Sequence, residues 1–177
     1  MAEGRQIKRG SALIADVVNF YGQELRSLEA IADVLDDLYN TLASTVTSHR
    51  GEVVKWLGDG ALACFWESGH EHDAVRAALG LQKEFEGFIR RHGFERSGLT
   101  ISVASGEMIV GTFGTGIAAH YDVFGEPVNC TATIMPGASG AITICEATYR
   151  AVSGSVSAEL LAEHEYFGPL YAVRSGR

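Results

Sequence analysis

The chain has 177 residues, with 14 basic against 22 acidic side chains and a formal net charge of −8. Its 46% hydrophobic and 20% charged residues, with 3 prolines, describe one packed domain rather than a disordered or fibrous chain. That charge balance excludes an electrostatic nucleic-acid binder, because phosphate affinity needs a concentrated basic surface.

No apolar run approaches the roughly 20 residues that span a bilayer. The opening Met1-Ala2-Glu3-Gly4-Arg5 lacks a signal-peptide core. Cys64, Cys130 and Cys145 are an odd count at wide spacing, which favours buried free thiols over disulfides or zinc. The expectation is a cytoplasmic protein without a membrane partner, with a short tail over residues 1–10 and a single domain over 11–177.

The first element expected is a buried strand over residues 11–18, a branched apolar run interrupted by Asp16. From Ser27, apolar residues recur every three or four positions through Leu28, Ile31, Leu35, Leu38, Leu42 and Val46. That stripe predicts a long amphipathic helix ending near Gly51. Strands over 52–57 and 61–66 flank Gly58-Asp59-Gly60, whose Asp-Gly pair signals a hairpin. A second helix is expected over 72–90.

Strands over 99–105 and 108–113 are expected to turn at Gly106-Glu107, and a glycine-spaced loop leads to a strand over 120–124. A short helix after Glu126, a strand over 141–145, a helix from Glu146 and a small tail complete the reading. The fold class is α+β: a ferredoxin-like split β-α-β-β-α-β core with a C-terminal extension.

Two carboxylates carry the chemical signal. Asp16 lies inside an apolar strand, where an unpaired charge is costly, and Asp59 sits at a hairpin tip. In the split fold the first and third strands are neighbours, so both acids approach one point. A hard divalent cation would neutralise such a pair and keep positions open for phosphate oxygens. Taken singly, Asp59 reads as an ordinary turn residue. Lys55 alone reads as an outward side chain between a buried Val54 and Trp56.

Five blocks in order change the weight of these residues. They are Ile14-Ala-Asp16-Val-Val-Asn-Phe20, Gly51-Glu-Val-Val-Lys55-Trp-Leu-Gly58-Asp59-Gly60, Ala104-Ser-Gly106-Glu107-Met-Ile-Val-Gly111, Tyr121-Asp122-Val-Phe-Gly125-Glu-Pro-Val128-Asn129 and Ile142-Thr-Ile-Cys-Glu-Ala-Thr-Tyr149. Together they resemble the class III nucleotidyl cyclase catalytic domain over roughly residues 11–150. The third block looks like that family's Thr-Gly-Glu hairpin.

The resemblance implies roles residue by residue. Asp16 and Asp59, with the backbone carbonyl of Val17, match the ligands of two metal ions, Mg²⁺ or Mn²⁺. Val18, Asn19, Phe20 and Tyr21 match the segment that cradles the β- and γ-phosphates. Lys55 and Asp122 match the pair that reads the purine edge, in the combination that favours ATP. Asn129 matches the asparagine that positions the ribose. The implied activity is cyclic AMP formation with release of pyrophosphate, at composite sites of a homodimer or of a heterodimer with another cyclase chain.

One position departs from the pattern. Where the family places a phosphate-binding arginine, four residues after the asparagine, this chain has Thr133, and no arginine or lysine occurs between Asn129 and Arg150. A lysine the family carries near the C-terminus is missing as well. Arg150, Arg174 and Arg177 are the substitutes within the sequence. The alternative reading is a weakened cyclase-homology domain that binds nucleotide or pairs with another cyclase chain as a regulatory subunit.

Overall fold

The computed structural model describes residues 4–20, 27–135 and 140–174. Helix α1 spans Leu28–Ser48, and the Ser27 hydroxyl caps it by accepting from the Ala30 N–H at 3.1 Å. Helix α2 spans His70–His92 and ends on Gly93 in the left-handed conformation. Helix α2 runs two residues past the expected 72–90 at each end, because its polar first and last turns carry no apolar signal. Helix α1 stops at Ser48, just short of the expected end near Gly51.

Strand β1 spans Arg5–Val18, β2 Gly51–Trp56, β3 Gly60–Phe65 and β4 Gly98–Phe113. After them come β5 at His120–Phe124, α3 at Glu126–Thr133, β6 at Ile142–Cys145 and α4 at Glu146–Val152. A terminal hairpin closes the chain, with β7 at Ala158–His164 and β8 at Gly168–Val173. The sheet order is β2-β3-β1-β4-β6-β8-β7, with β5 paired to β4 outside that path. Its first four strands are the expected split core, with α1 and α2 as the crossovers. The β4–β6 pair is parallel, so the extension makes the sheet mixed.

Alternate residues divide the sheet into two faces. Leu13, Ala15, Val17, Ala61, Ala63, Phe65, Ile101 and Val103 meet Leu38 and Leu42 of α1 and Ala77, Leu81 and Phe88 of α2 in the main core. Ala12, Ile14, Leu62, Cys64, Met108, Val110 and Val123 form a second cluster on the opposite face. Each buried Leu-sized side chain contributes about 1.5–3 kcal/mol. Asp37 of α1 accepts from Arg91 and His92 of α2 at 2.8 and 2.7 Å, which pins the two helices together.

The sequence expectation fails in three places. Strand β1 begins at Arg5, six residues before the expected start. Gly106-Glu107 is not a turn, because β4 runs unbroken from Gly98 to Phe113 and pairs with β1 from Arg5↔Gly111 to Val18↔Gly98. The glycine serves close packing instead: a Cβ at Gly106 would lie 3.0 Å from Pro127 Cγ of α3. The small tail is the β7–β8 hairpin, whose outer strand is largely exposed and so shows no clean alternation.

Candidate active site

Asp16 stands on β1 with the parity of Ala12 and Ile14, so it faces away from α1 and α2. Its cross-strand partner is Gly60, the residue after Asp59. A side chain at position 60 would collide with Asp16, since a Cβ there would lie 2.8 Å from Asp16 Oδ1. The glycine therefore lets the Asp16 carboxylate lie over the base of the hairpin. Burial pushes both acids above the ordinary carboxylate range, and the Asp59 charge pushes Asp16 further.

The hairpin carrying Asp59 is held by contacts that the sequence reading missed. The Leu57 N–H donates to Gly60 O at 2.9 Å. Tyr39 of α1 stacks on Trp56 at 4.0 Å between ring centroids and donates its hydroxyl to Gly58 O at 2.7 Å. Trp56 thus covers the helix side of the hairpin and stays 38% exposed, so it is not the buried residue expected there. A tyrosine on one polar turn of a helix gives no sequence cue to such a partner.

Lys55 and Asp122 meet although 67 positions separate them in sequence. Lys55 Nζ lies 2.7 Å from Asp122 Oδ1 and 2.8 Å from Oδ2. Asp122 is buried, and its Oδ1 also accepts from the Val123 N–H at 2.8 Å. Burial pushes the Asp122 carboxyl up, but hydrogen bonds from Lys55 and Val123 outweigh it and hold the group below its usual range. The stability this pair contributes is present above about pH 4 and is lost as pH falls through the depressed value. Glu52 braces the region by accepting from Trp66 Nε1 at 2.6 Å and Tyr121 Oη at 3.1 Å.

Helix α3 buries Pro127, Cys130 and Thr131 and exposes Asn129 and Thr133 on one face, four residues apart. The Thr133 hydroxyl donates to Asn129 O at 2.8 Å. Beyond β1, Asn19 has a positive φ of 63°, and Phe20 is buried edge-on against Phe94 at 5.6 Å. That bend redirects the chain from the sheet just after Val17 and Val18. Tyr21 and Arg177 lie outside the described residues. Arg150 is paired with Glu146, and Arg174 with Glu159.

Asp16 and Asp59 therefore form one unit and Lys55 and Asp122 another. Among the described residues, no hydrogen bond or ion pair joins the two units, or either of them to Asn129. Two half-buried carboxylates, both raised by burial and one raised further by the other's charge, fit a hard dication. No third His, Cys, Asp or Glu completes a metal cluster among the described residues. Magnesium bound by one or two carboxylates shares its remaining positions with water and phosphate oxygens, so the pair suits that ion.

The sequence profile of the adenylate and guanylate cyclase catalytic domain matches residues 5–167. The chain belongs to this family. Solved cyclase structures share the fold. The adenylyl cyclase CyaB from P. aeruginosa is 19% identical with a TM-score of 0.86, covering 98% of this chain and 97% of that one. The guanylyl cyclase Cya2 is 22% identical with a TM-score of 0.81, covering 96% and 92%. The guanylate cyclase domain of RhGC from Catenaria anguillulae, solved with GTP, is 20% identical with a TM-score of 0.81, covering 97% and 100%. No curated protein sequence matches the chain.

This cyclase domain has relatives of both nucleotide preferences, so family membership leaves the purine open. Among its described residues, no helix is long and apolar enough to cross a membrane.

Proposed function

We propose that this cyclase domain converts ATP into 3′,5′-cyclic AMP and pyrophosphate in the cytoplasm, as a dimer with two equivalent composite sites. The Lys55–Asp122 pair carries the choice of purine. An ammonium donates to the adenine ring nitrogen and a carboxylate accepts from the exocyclic amine. Guanine presents the reverse pattern there, a ring N–H and a carbonyl oxygen, and would meet a like group at each position. The depressed Asp122 pKa supports this reading, because it keeps the acceptor ionised at neutral pH.

In each site one protomer supplies Asp16, Asp59 and the Val17 carbonyl, and the other supplies Lys55, Asp122 and Asn129. Asp16 and Asp59 hold two Mg²⁺ or Mn²⁺ ions. Those ions, when bound, supply Lewis-acid charge that activates the ribose 3′-oxygen and neutralises the leaving pyrophosphate. Main-chain groups from Val18 to Tyr21 hold the β- and γ-phosphates, and Asn129 orients the ribose. The 3′-oxygen attacks the α-phosphorus and the bond to the β-phosphate bridging oxygen breaks. Pyrophosphate departs, and the hydroxyl proton passes to solvent.

Incubating purified protein with each nucleoside triphosphate and Mn²⁺ tests the reading. Cyclic AMP from ATP is the expected product, and absence of any cyclic product at high protein concentration refutes it. The combined substitution Lys55→Glu and Asp122→Ser exchanges donor for acceptor at the base. It is expected to lower kcat/KM for ATP by about 10²-fold and to raise GTP above ATP. An unchanged ATP:GTP ratio in the two substrates' kcat/KM would remove these residues from base recognition.

Thr133 favours a second reading, in which this chain supplies the carboxylates to a cyclase partner that carries the phosphate-binding arginine. Activity on mixing with an arginine-bearing cyclase chain, with none from the protein alone, would establish it.

A further inference from the structure

Behind α3, on the side turned from Asn129 and Thr133, lies a cavity of about 520 Å³ lined by Gly106, Glu107, Pro127, Cys130, Cys145 and Phe167. We propose that Cys130 and Cys145 are a peroxide-oxidisable dithiol in this cavity, whose disulfide ties α3 to β6. Both thiols are free and buried, and they share one apolar cluster with Ala104, Ile134 and Leu170. Both also border the cavity, which gives a small oxidant access to sulfurs that the protein surface hides. The two thiols lie near enough within that cluster for each to shift the other's ionisation. Cys64 belongs to a different cluster and touches no part of this cavity.

The surroundings divide the work between the two sulfurs. Cys145 Sγ lies 3.4 Å from Thr148 Oγ1, in a buried chain of hydroxyls. Thr148 Oγ1 is 2.8 Å from Ser105 Oγ, Ser105 is 2.7 Å from Ser11 Oγ, and Ser11 is 2.8 Å from His70 Nδ1. Each hydroxyl both donates and accepts, so the chain offers the Cys145 proton a path through the sheet. Cys130 and Thr148 beside it hold the Cys145 thiol well below its ordinary range, while the proximity of Cys145 and burial push Cys130 up. Cys145 is therefore the attacking thiolate and Cys130 the resolving thiol.

Hydrogen peroxide is the oxidant class that fits the cavity. The Cys145 thiolate attacks one peroxide oxygen and the O–O bond breaks. The released hydroxide takes up the proton that Cys145 gave away, forming water. The Cys130 thiol then attacks the Cys145 sulfenic acid, and an S–S bond forms as the S–O bond breaks. The second hydroxyl leaves as water with the Cys130 proton. The dithiol loses two electrons and the peroxide gains them. Because α3 carries Asn129, the bond would restrain the proposed ribose site, and that step alone rests on the cyclase reading.

Peroxide treatment of the native protein, followed by unfolding and maleimide labelling, tests the pair without any measurement of turnover. Labelling is expected to fall from three thiols to one, at Cys64, with a Cys130–Cys145 cross-linked peptide in the digest. Dithiothreitol is expected to restore all three labels. Cys130→Ser is expected to leave Cys145 as a sulfenic acid that dimedone traps. Three labelled thiols after peroxide, or lost labels without the cross-linked peptide, overturn the proposal.

Discussion

Asp16→Asn and Asp59→Asn each lower cyclic-nucleotide formation by about 10³-fold or more, and each raises the Tm of the metal-free protein. The first effect follows, on the proposed mechanism, from removing a ligand of the ions that would activate the attacking oxygen. The second follows from the raised pKa of both acids. A carboxyl whose folded pKa lies above its unfolded value contributes stability below that unfolded value, near pH 4. It loses that contribution as pH rises through the folded value.

At neutral pH the two charges therefore work against the metal-free fold, and an amide at either position relieves them. A gain of about 2–4 °C corresponds to roughly 1 kcal/mol for a chain of this length. Scanning calorimetry from about pH 4 to 7 checks it, and the difference between variant and wild type closes toward the acid end. Mg²⁺ raises the Tm of the wild type and not of the variants. Equal Tm values at neutral pH, or full activity in either variant, would separate these aspartates from a shared ion.

Thr133→Arg raises turnover by about 10²–10³-fold, the worth of one oriented donor to a developing oxyanion. The exposed face of α3 accepts the longer side chain without displacing core atoms, and among the described residues the one side-chain bond lost is that of the Thr133 hydroxyl to Asn129 O. Stability should move by less than about 0.5 kcal/mol. Thr133→Lys gains less, because an ammonium lacks the planar fork that grips phosphate oxygens, and Thr133→Ala leaves the rate near wild type. An unchanged rate in the arginine variant would mean that position 133 does not face the phosphates.

The split core was legible because its signals are local. The 3.6-residue stripe from Leu28 to Val46 and the Asp-Gly turn each follow from neighbouring residues. The continuous β4 was not, because Gly106 is required by Pro127 of a later helix rather than by its own backbone. The Lys55–Asp122 contact entered through family resemblance alone; no spacing rule joins residues on strands β2 and β5. Tyr39 carried no cue at all, since its partners Trp56 and Gly58 are set by how α1 lies on the hairpin. The hydroxyl chain from His70 to Thr148 was equally silent. Serine and threonine at scattered positions read as surface until the sheet brings Ser11 and Ser105 together.

The full-length pairing of β1 with β4 bears on how the chain comes to be folded. Arg5 to Val18 are synthesised well before their partners from Gly98 to Gly111, which emerge about a hundred residues later. Such distant contacts raise contact order and slow folding, because loop-closure entropy is spent before the pairing returns any energy. Helix α1 and the β2–β3 hairpin can form early from local contacts, while the central strand waits with an apolar run exposed. Asp16, inside that run, is a charge in the waiting strand, of the kind that discourages edge-to-edge association. The same carboxylate that strains the finished sheet would protect the unfinished one from aggregation.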